Sequence, residues 1–147
     1  FVEEIIFRAC MIMPLIVSGE SPANAIYYSP LLFGIAHGHK ILEHLGSPDL
    51  KNVILEVIFQ VAYTTIFGIY VGYVYVNTGS LLAAICLHSY CNMMGFPELQ
   101  AMIDQDYEKS ERIILQVSYA VGLITFFYSW GYLMDPTYYD SIFYKIQ

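Results

Sequence analysis

The uncharged stretch of residues 113 to 134 is the cleanest candidate membrane span by length and hydropathy, and it constrains the fold more than any other feature of the sequence. It is predominantly apolar and exceeds the ~20 residues that a helix needs to cross a bilayer. Inside lipid every backbone polar group must be satisfied internally, so only helices and closed barrels can span it. The stretch does not alternate polar and apolar residues as a barrel strand would. It therefore predicts a membrane-spanning helix and an all-α fold.

The composition supports the same interpretation for the whole chain. Hydrophobic residues make up 57% of it and charged residues only 13%, against about 25% charged residues in soluble domains. The net charge is −7, and the six Lys and Arg residues are scattered, which excludes a nucleic-acid-binding surface. Three cysteines, an odd number within or beside apolar segments, predict buried free thiols. We expect a polytopic helical bundle in contact with the lipid bilayer.

Turn residues divide the apolar segments into five predicted helices. Their expected bounds are 1–17, 27–44, 52–76, 80–94 and 113–134. Ser29 and Pro30 are expected to open the second helix, as N-cap and first helical residue. Because the chain opens in mid-pattern without a Met, we expect residues 1–147 to be a fragment of a single membrane-embedded domain, with upstream helices missing.

Basic residues lie mainly at one side of the predicted bundle. If all five helices cross, the loops at 45–51 and 95–111 share one face, and the basic residues flanking that face are Lys40, Lys51, Lys109 and Arg112. The opposite loops contain no Lys or Arg, and only Lys145 disagrees with the pattern. The positive-inside rule places the first face in the cytosol. His37 and His88 then lie about 12 Å from the cytosolic helix ends at 1.5 Å per residue.

The first helix carries two carboxylates and a guanidinium within an apolar run. Glu4 and Arg8 are four residues apart and face each other on a helix, so we expect them to pair. Glu3 is rotated by about 100° and has no local partner. An ionisable residue without a partner in such a segment is a candidate functional residue.

Polar residues on other apolar segments complete a candidate catalytic set. His88 and Asn92 project from one helical face as a donor pair suited to stabilising an oxyanion. Glu3 and His37 would hold a water, and a carboxylate whose pKa is raised by burial could accept its proton near neutral pH. The candidate catalytic residues are therefore Glu3, His37, His88 and Asn92, with Glu4 and Arg8 in support.

Two alternatives remain open at this point. One Glu and two His residues could form a zinc site, although Asn is an uncommon zinc ligand and the chain contains no His-Glu-x-x-His motif. The buried Glu and His residues could instead serve proton transfer or helix association in a non-catalytic membrane protein. We interpret His39, His44 and Cys91 as structural or surface residues.

The motifs at these residues resemble those of the CAAX prenyl endopeptidases of the Ras-converting type, within the wider family of CAAX proteases and bacteriocin-processing enzymes. The Glu-Glu-x-x-x-Arg motif corresponds to residues 3–8, and the Phe-x-x-x-His motif to residues 33–37. The third motif, His followed four residues later by Asn, corresponds to residues 88–92. The resemblance covers residues 1–97, which we call the motif core, and is only general in the helix at 113–134.

The resemblance implies a multi-pass enzyme of the endoplasmic reticulum membrane, with its active site open to the cytosol. Such an enzyme removes the last three residues from proteins with a prenylated C-terminal cysteine, Ras-type GTPases among them. It also implies catalysis by a glutamate-activated water, with His and Asn as the oxyanion hole. We expect no metal or other cofactor, and prenylated CAAX proteins or peptides as partners.

Overall fold

The computed structural model describes residues 1–36, 39–95, 99–104 and 106–145, and every regular element within these ranges is helical. The helices are α1 (2–17), α2 (Pro22–Ala36), α3 (His39–Glu43), α4 (Leu50–Thr78), α5 (Leu81–Met94) and α6 (Lys109–Leu133). Short 3-10 turns occupy Leu99–Met102, Pro136–Tyr138 and Ile142–Tyr144. The prediction of an all-α fold is confirmed.

The chain divides into two compact units. The first contains Phe1–His88 together with Pro136–Gln147, and the second contains Ser89–Asp135. The first unit holds α1 to α4, most of α5 and the C-terminal tail. The second holds the last turns of α5 and all of α6.

Two helices of the described part of the chain, α4 and α6, are long and apolar enough to cross a membrane. They correspond to the third and fifth predicted helices. No described residue of α6 is buried, and its exposed side chains are mostly apolar, as expected for a helix in contact with lipid. Membrane crossing by the shorter helices stays a prediction.

The second helix begins earlier than predicted. Its N-cap is Ser21, whose hydroxyl accepts a hydrogen bond from the Asn24 N–H at 3.1 Å, and Pro22 is the first helical residue. The prediction began this helix at residue 27 and placed its cap at Ser29 and Pro30, which lie within α2. Both Ser-Pro pairs carry the same sequence signal, and the pair that follows the turn after α1 is the one that caps the helix.

The last helix also begins earlier than predicted. Glu108 and Glu111 form a capping box, in which each side chain accepts from the backbone of the other residue. The Glu108 N–H donates to Glu111 Oε2 at 3.1 Å. Helix α6 therefore begins at Lys109, within the loop expected at 95–111 and four residues before the expected Ile113.

Helices α2 and α4 approach each other closely at Gly68. A Cβ added there would lie 2.7 Å from Pro30 Cβ, closer than real Cβ atoms approach. At Gly72, one turn later, the nearest atom would be Ile12 Cδ1 at 3.4 Å, an ordinary contact. Gly68 is therefore needed for the close approach of the two helices, whereas Gly72 has room for a methyl group.

The hydrophobic core of the first unit joins four helices and the tail. Its buried members are Ile12, Ile16, Ala25, Ile26, Val71, Tyr75, Val76, Ala84 and Phe143. Ser29 is buried beside them, and its hydroxyl donates to the Phe7 carbonyl at 2.7 Å, linking α2 to α1. The core thus fixes α1, α2 and α5 against the C-terminal half of α4.

The C-terminal tail packs against the end of α4. Phe143 is fully buried and meets the ring of Tyr75 edge-on at 5.0 Å between ring centroids. The Ser141 hydroxyl donates to the Val76 carbonyl, and Tyr144 Oη donates to Asn77 Oδ1 at 2.9 Å. Partial burial, with Tyr73 nearby, raises the pKa of the Tyr144 phenol. These contacts between neutral groups attach the tail to the C-terminal end of α4.

Candidate functional site

Buried ionic groups lie near the N-terminus of α1. Glu4 is 2% exposed and Arg8 is 4% exposed. Arg8 Nε lies 3.0 Å from Glu4 Oε2, so the predicted contact is present. The two atoms are in ion-pair contact without the alignment of a hydrogen bond. Residues Ile5–Ile12 are π-helical, and Arg8 lies in the middle of this stretch. Wide turns of this kind are frequent at functional sites.

The π-helical stretch has a local cause in the sequence. Pro14 has no N–H, and in an α-helix its ring crowds the carbonyl four residues earlier. The stretch ends two residues before Pro14, where the Met13 N–H donates to the Arg8 carbonyl. Only Met13 separates the proline from the π-helical stretch that carries Arg8.

The imidazole of His88 on α5 contacts the same carboxylate. His88 Nδ1 lies 2.7 Å from Glu4 Oε1, the distance of a strong hydrogen bond in which the ring N–H donates. On α4, the ring of Phe67 meets the imidazole edge-on at 5.2 Å between centroids. Glu4 thus bridges two helices, with one oxygen on His88 and the other on Arg8. The sequence spacing predicted only the contact with Arg8.

Glu3 approaches the other nitrogen of the same ring. Its Oε2 lies 3.7 Å from His88 Nε2, within ion-pair range and beyond a hydrogen bond. The Glu3 side chain is 55% exposed, whereas that of His88 is 15% exposed. The buried carboxylate of the pair is therefore Glu4, and the expectation that Glu3 is buried is wrong for this structure. The structure brings together Glu3, Glu4, Arg8 and His88 within the first unit.

The two remaining candidates stand apart from this cluster. His37 lies outside the described residues. Asn92 lies in the second unit, on α5 and four residues after His88, and its side chain is exposed. Its role beside His88 stays a prediction that rests on the spacing along one helix.

Other ionisable and sulfur-containing residues have structural surroundings. His44 is exposed, and its Nδ1 contacts the Lys40 carbonyl at 2.9 Å, in agreement with a surface role. All three cysteines are free, as predicted. Cys10 and Cys86 are exposed, so the expectation of buried thiols is wrong for these two.

A metal site requires three or four side-chain ligands that converge on one point. Among the residues that the structure describes, no group of three or more His, Cys, Asp and Glu side chains could hold a metal ion. The oxygens of Glu4 already contact His88 and Arg8. The zinc set that the sequence suggested also requires His37, which is outside the described ranges.

Sequence reasoning missed the two contacts that orient His88. Glu4 was assigned to Arg8 because the two residues are one helical turn apart, and nothing in the sequence indicates a second partner on α5. Phe67 is one of many aromatic residues in an apolar helix, so no sequence signal distinguishes it. Contacts between helices, unlike those within one helix, depend on packing that a single sequence does not specify.

Comparisons with known proteins identify the relatives of this chain. Residues 1–94 match the family model described as type II CAAX prenyl endopeptidase Rce1-like. The human CAAX prenyl protease 2 is 37% identical over 142 residues, covering 95% of this chain and 42% of the human protein. The probable CAAX prenyl protease 2 of Schizosaccharomyces pombe is 32% identical over 131 residues, which cover 88% of this chain and 47% of that protein.

A plant relative gives the same result. The CAAX prenyl protease 2 of Arabidopsis thaliana is 37% identical over 105 residues, which cover 67% of this chain and 32% of the plant protein. The chain thus spans less than half the length of these relatives. No solved structure matches it. The family match covers Glu3, Glu4, Arg8 and His88, and the chain belongs to the Rce1-like type II CAAX prenyl endopeptidases.

Proposed function

We propose that this chain carries the catalytic core of an intramembrane endoprotease that removes the C-terminal tripeptide from prenylated CAAX proteins such as Ras-type GTPases. Family membership and the names of the relatives support the substrate class. The cluster of Glu3, Glu4, Arg8 and His88 supports hydrolysis. Its charged groups lie on helices of an otherwise apolar chain. Burying such groups costs free energy, so their presence there indicates a function.

The observation that carries the proposal is the 3.7 Å separation of Glu3 Oε2 and His88 Nε2. Two atoms at this separation can both lie about 3 Å from a single reacting atom. A carboxylate on one side of that atom can accept a proton, and an imidazole N–H on the other side can donate a hydrogen bond. Hydrolysis of an amide needs these two functions at its carbonyl carbon.

In this mechanism Glu3 accepts a proton from a water molecule as the water attacks the carbonyl of the prenylated cysteine. The carbonyl oxygen becomes negatively charged, and His88 and Asn92 stabilise it by hydrogen bonds. The amide bond to the tripeptide then breaks, and the tripeptide leaves as an amine that takes the proton held by Glu3. His37 is assigned to the same water. No step requires a cofactor.

The proposed orientation in the membrane follows from the distribution of charge, and the proposed location from the resemblance to the CAAX prenyl endopeptidases. We assign the protein to the endoplasmic reticulum, with the loop at 45–49 in the cytosol and the turn at 18–21 on the opposite side. Glycosylation acceptors inserted at these two loops test the orientation. Modification at the 18–21 turn alone is expected, and modification at 45–49 would contradict the assignment.

The activity is tested with the protein as its gene encodes it, in membranes and then purified in detergent. The substrate is a farnesylated peptide ending in a CAAX sequence, and the matched control is the same peptide without the farnesyl group. Mass spectrometry is expected to detect the intact tripeptide from the farnesylated peptide only. An uncut farnesylated peptide, or equal cleavage of both peptides, would contradict the proposed substrate class.

A chelator arm of the same experiment separates the proposed mechanism from the zinc alternative. If the carboxylate activates water directly, exhaustive chelation is expected to leave the rate unchanged. Removal of stoichiometric zinc with loss of activity, followed by recovery on adding zinc back, would favour a metalloprotease.

A further inference from the structure

The carboxylate of Glu4 contacts two groups at once. Oε1 lies 2.7 Å from His88 Nδ1, and Oε2 lies 3.0 Å from Arg8 Nε. Both Glu4 and Arg8 are nearly inaccessible, with side-chain exposures of 2% and 5%. A buried carboxylate between an imidazole and a guanidinium is held in one position, because moving it would leave a buried charge without a partner.

This arrangement determines which nitrogen of His88 is free. An ionised carboxylate only accepts hydrogen bonds, so the hydrogen on Nδ1 points at Glu4. Phe67 packs against the ring from α4 and further restricts its rotation. Nε2 is therefore the nitrogen left for the substrate, and it lies on the side of the exposed Glu3.

We infer that Glu4 is a positioning residue that acts through His88, with Arg8 holding Glu4 in place. The inference rests on the proposed function, in which His88 Nε2 donates to the carbonyl oxygen of the substrate. With Nδ1–H directed at Glu4, Nε2 can donate only when the ring carries both protons. Glu4 thus fixes the orientation of the ring and leaves Nε2 facing the substrate.

The inference predicts a specific kinetic pattern for Glu4→Gln. The amide can present either its oxygen or its NH2 group to Nδ1, so the hydrogen on the ring is no longer directed to one nitrogen. Loss of the carboxylate partner of a metal-bound histidine typically costs about 10- to 100-fold, and we expect kcat to fall on that scale. KM is expected to stay within about twofold, because the carbonyl oxygen gains its charge only in the transition state.

A double-mutant cycle distinguishes positioning from a merely structural role. The variants are Glu4→Gln, His88→Ala and the double variant, with kcat expressed per folded molecule. If Glu4 acts through His88, adding Glu4→Gln to His88→Ala is expected to change kcat by no more than about twofold. Two losses that multiply would overturn the inference, and so would an unchanged kcat in Glu4→Gln.

Two further variants serve as a control and as a second test of the positioning role. Glu56→Gln also exchanges a carboxylate for an amide, at an exposed position of α4, and is expected to keep kcat within twofold of wild type. If Glu4→Gln does not fold, Glu4→Asp keeps the charge for Arg8 but shortens the reach to His88. It is expected to lower kcat about tenfold or more with KM retained. A wild-type rate per folded molecule in Glu4→Asp would contradict positioning.

The outcome for the wild type separates the two proposals. A wild-type protein that does not cleave the farnesylated peptide contradicts the proposed function, and with it the inference that rests on it. A wild-type protein that cleaves, together with a Glu4→Gln variant that cleaves equally well per folded molecule, contradicts only the positioning role.

Discussion

The first unit contains two clusters that join distant segments of the chain, and they use different chemistry. Around Glu4 the contacts are ionic: a buried carboxylate holds Arg8 and His88. Around Asn77 they are neutral: Tyr144 Oη donates to its side chain, whose Nδ2 donates to the Tyr73 carbonyl. Neutral hydrogen bonds and a buried Phe143 are sufficient to attach the tail to α4.

The difference indicates where function lies. A buried ion pair often stabilises a fold no better than apolar residues of similar volume, because desolvation offsets the attraction. The cluster at Asn77 shows that this chain can join its segments without charge. The charges at Glu4 therefore fit the proposed catalytic role, and variants of the two clusters should affect different properties.

The largest effect is expected for Glu3→Gln. The amide keeps the shape of the side chain but cannot take the proton of the water, so kcat is expected to fall by about 10²- to 10⁴-fold. Because Glu3 is 55% exposed, the free energy of unfolding is expected to change by no more than about 0.5 kcal/mol. Peptide cleavage and thermal unfolding in the same detergent check both parts. A rate within a few-fold of wild type would contradict the role of Glu3 as base.

Phe143→Ala is expected to affect stability and not catalysis. Truncating a fully buried Phe typically costs about 3–5 kcal/mol in free energy of unfolding. The matched control is Ile142→Ala, at a neighbouring side chain that is 46% exposed, and its cost is expected to be much smaller. Denaturant unfolding of both variants measures the difference. Equal costs would show that burial of Phe143 does not hold the tail.

Asn92→Ala is expected to lower kcat by about 100- to 1000-fold while KM for the prenylated peptide stays near normal. Asn92→Asp should be at least as damaging, because a carboxylate would repel the developing oxyanion. Ser89→Ala, at an exposed position of the same helix, is the control and should retain activity. A raised KM with unchanged kcat would assign Asn92 to substrate binding instead of oxyanion stabilisation.

The smallest effect concerns packing alone. Gly68→Ala forces a methyl group to within 2.7 Å of Pro30 Cβ, so we expect a loss of about 1–3 kcal/mol in free energy of unfolding. Gly72→Ala meets only ordinary contacts and is expected to be close to neutral. Thermal unfolding of the two variants side by side tests this. A smaller loss at Gly68 than at Gly72 would contradict the observed helix approach.

The sequence predicted features that depend on local spacing. The apolar runs predicted α4 and α6, and the four-residue spacing predicted the contact between Glu4 and Arg8. The predicted start of α2 was wrong because Ser21-Pro22 and Ser29-Pro30 carry the same capping signal. The choice between them depends on where the preceding turn ends.

Contacts between distant segments could not be predicted from a single sequence. The contact of His88 with Glu4 spans 84 positions, and that of Tyr144 with Asn77 spans 67. Neither pair has a periodicity that would relate its members, and the motifs that placed Glu4 and His88 in one candidate site do not specify a contact between them. The exposure of Glu3 likewise depends on how α5 packs against α1, which hydropathy does not determine.

We assign catalysis to the ionic cluster and stability to the neutral one. The most direct test is the rate of tripeptide release per folded molecule, measured for Glu3→Gln, Phe143→Ala and wild type in parallel. We expect Glu3→Gln to remain fully folded and to release tripeptide at least about 100-fold more slowly. We expect Phe143→Ala to give less folded protein, each molecule of which works at the wild-type rate. Equal per-molecule losses in the two variants would contradict the assignment of catalysis to the ionic cluster and of stability to the neutral one.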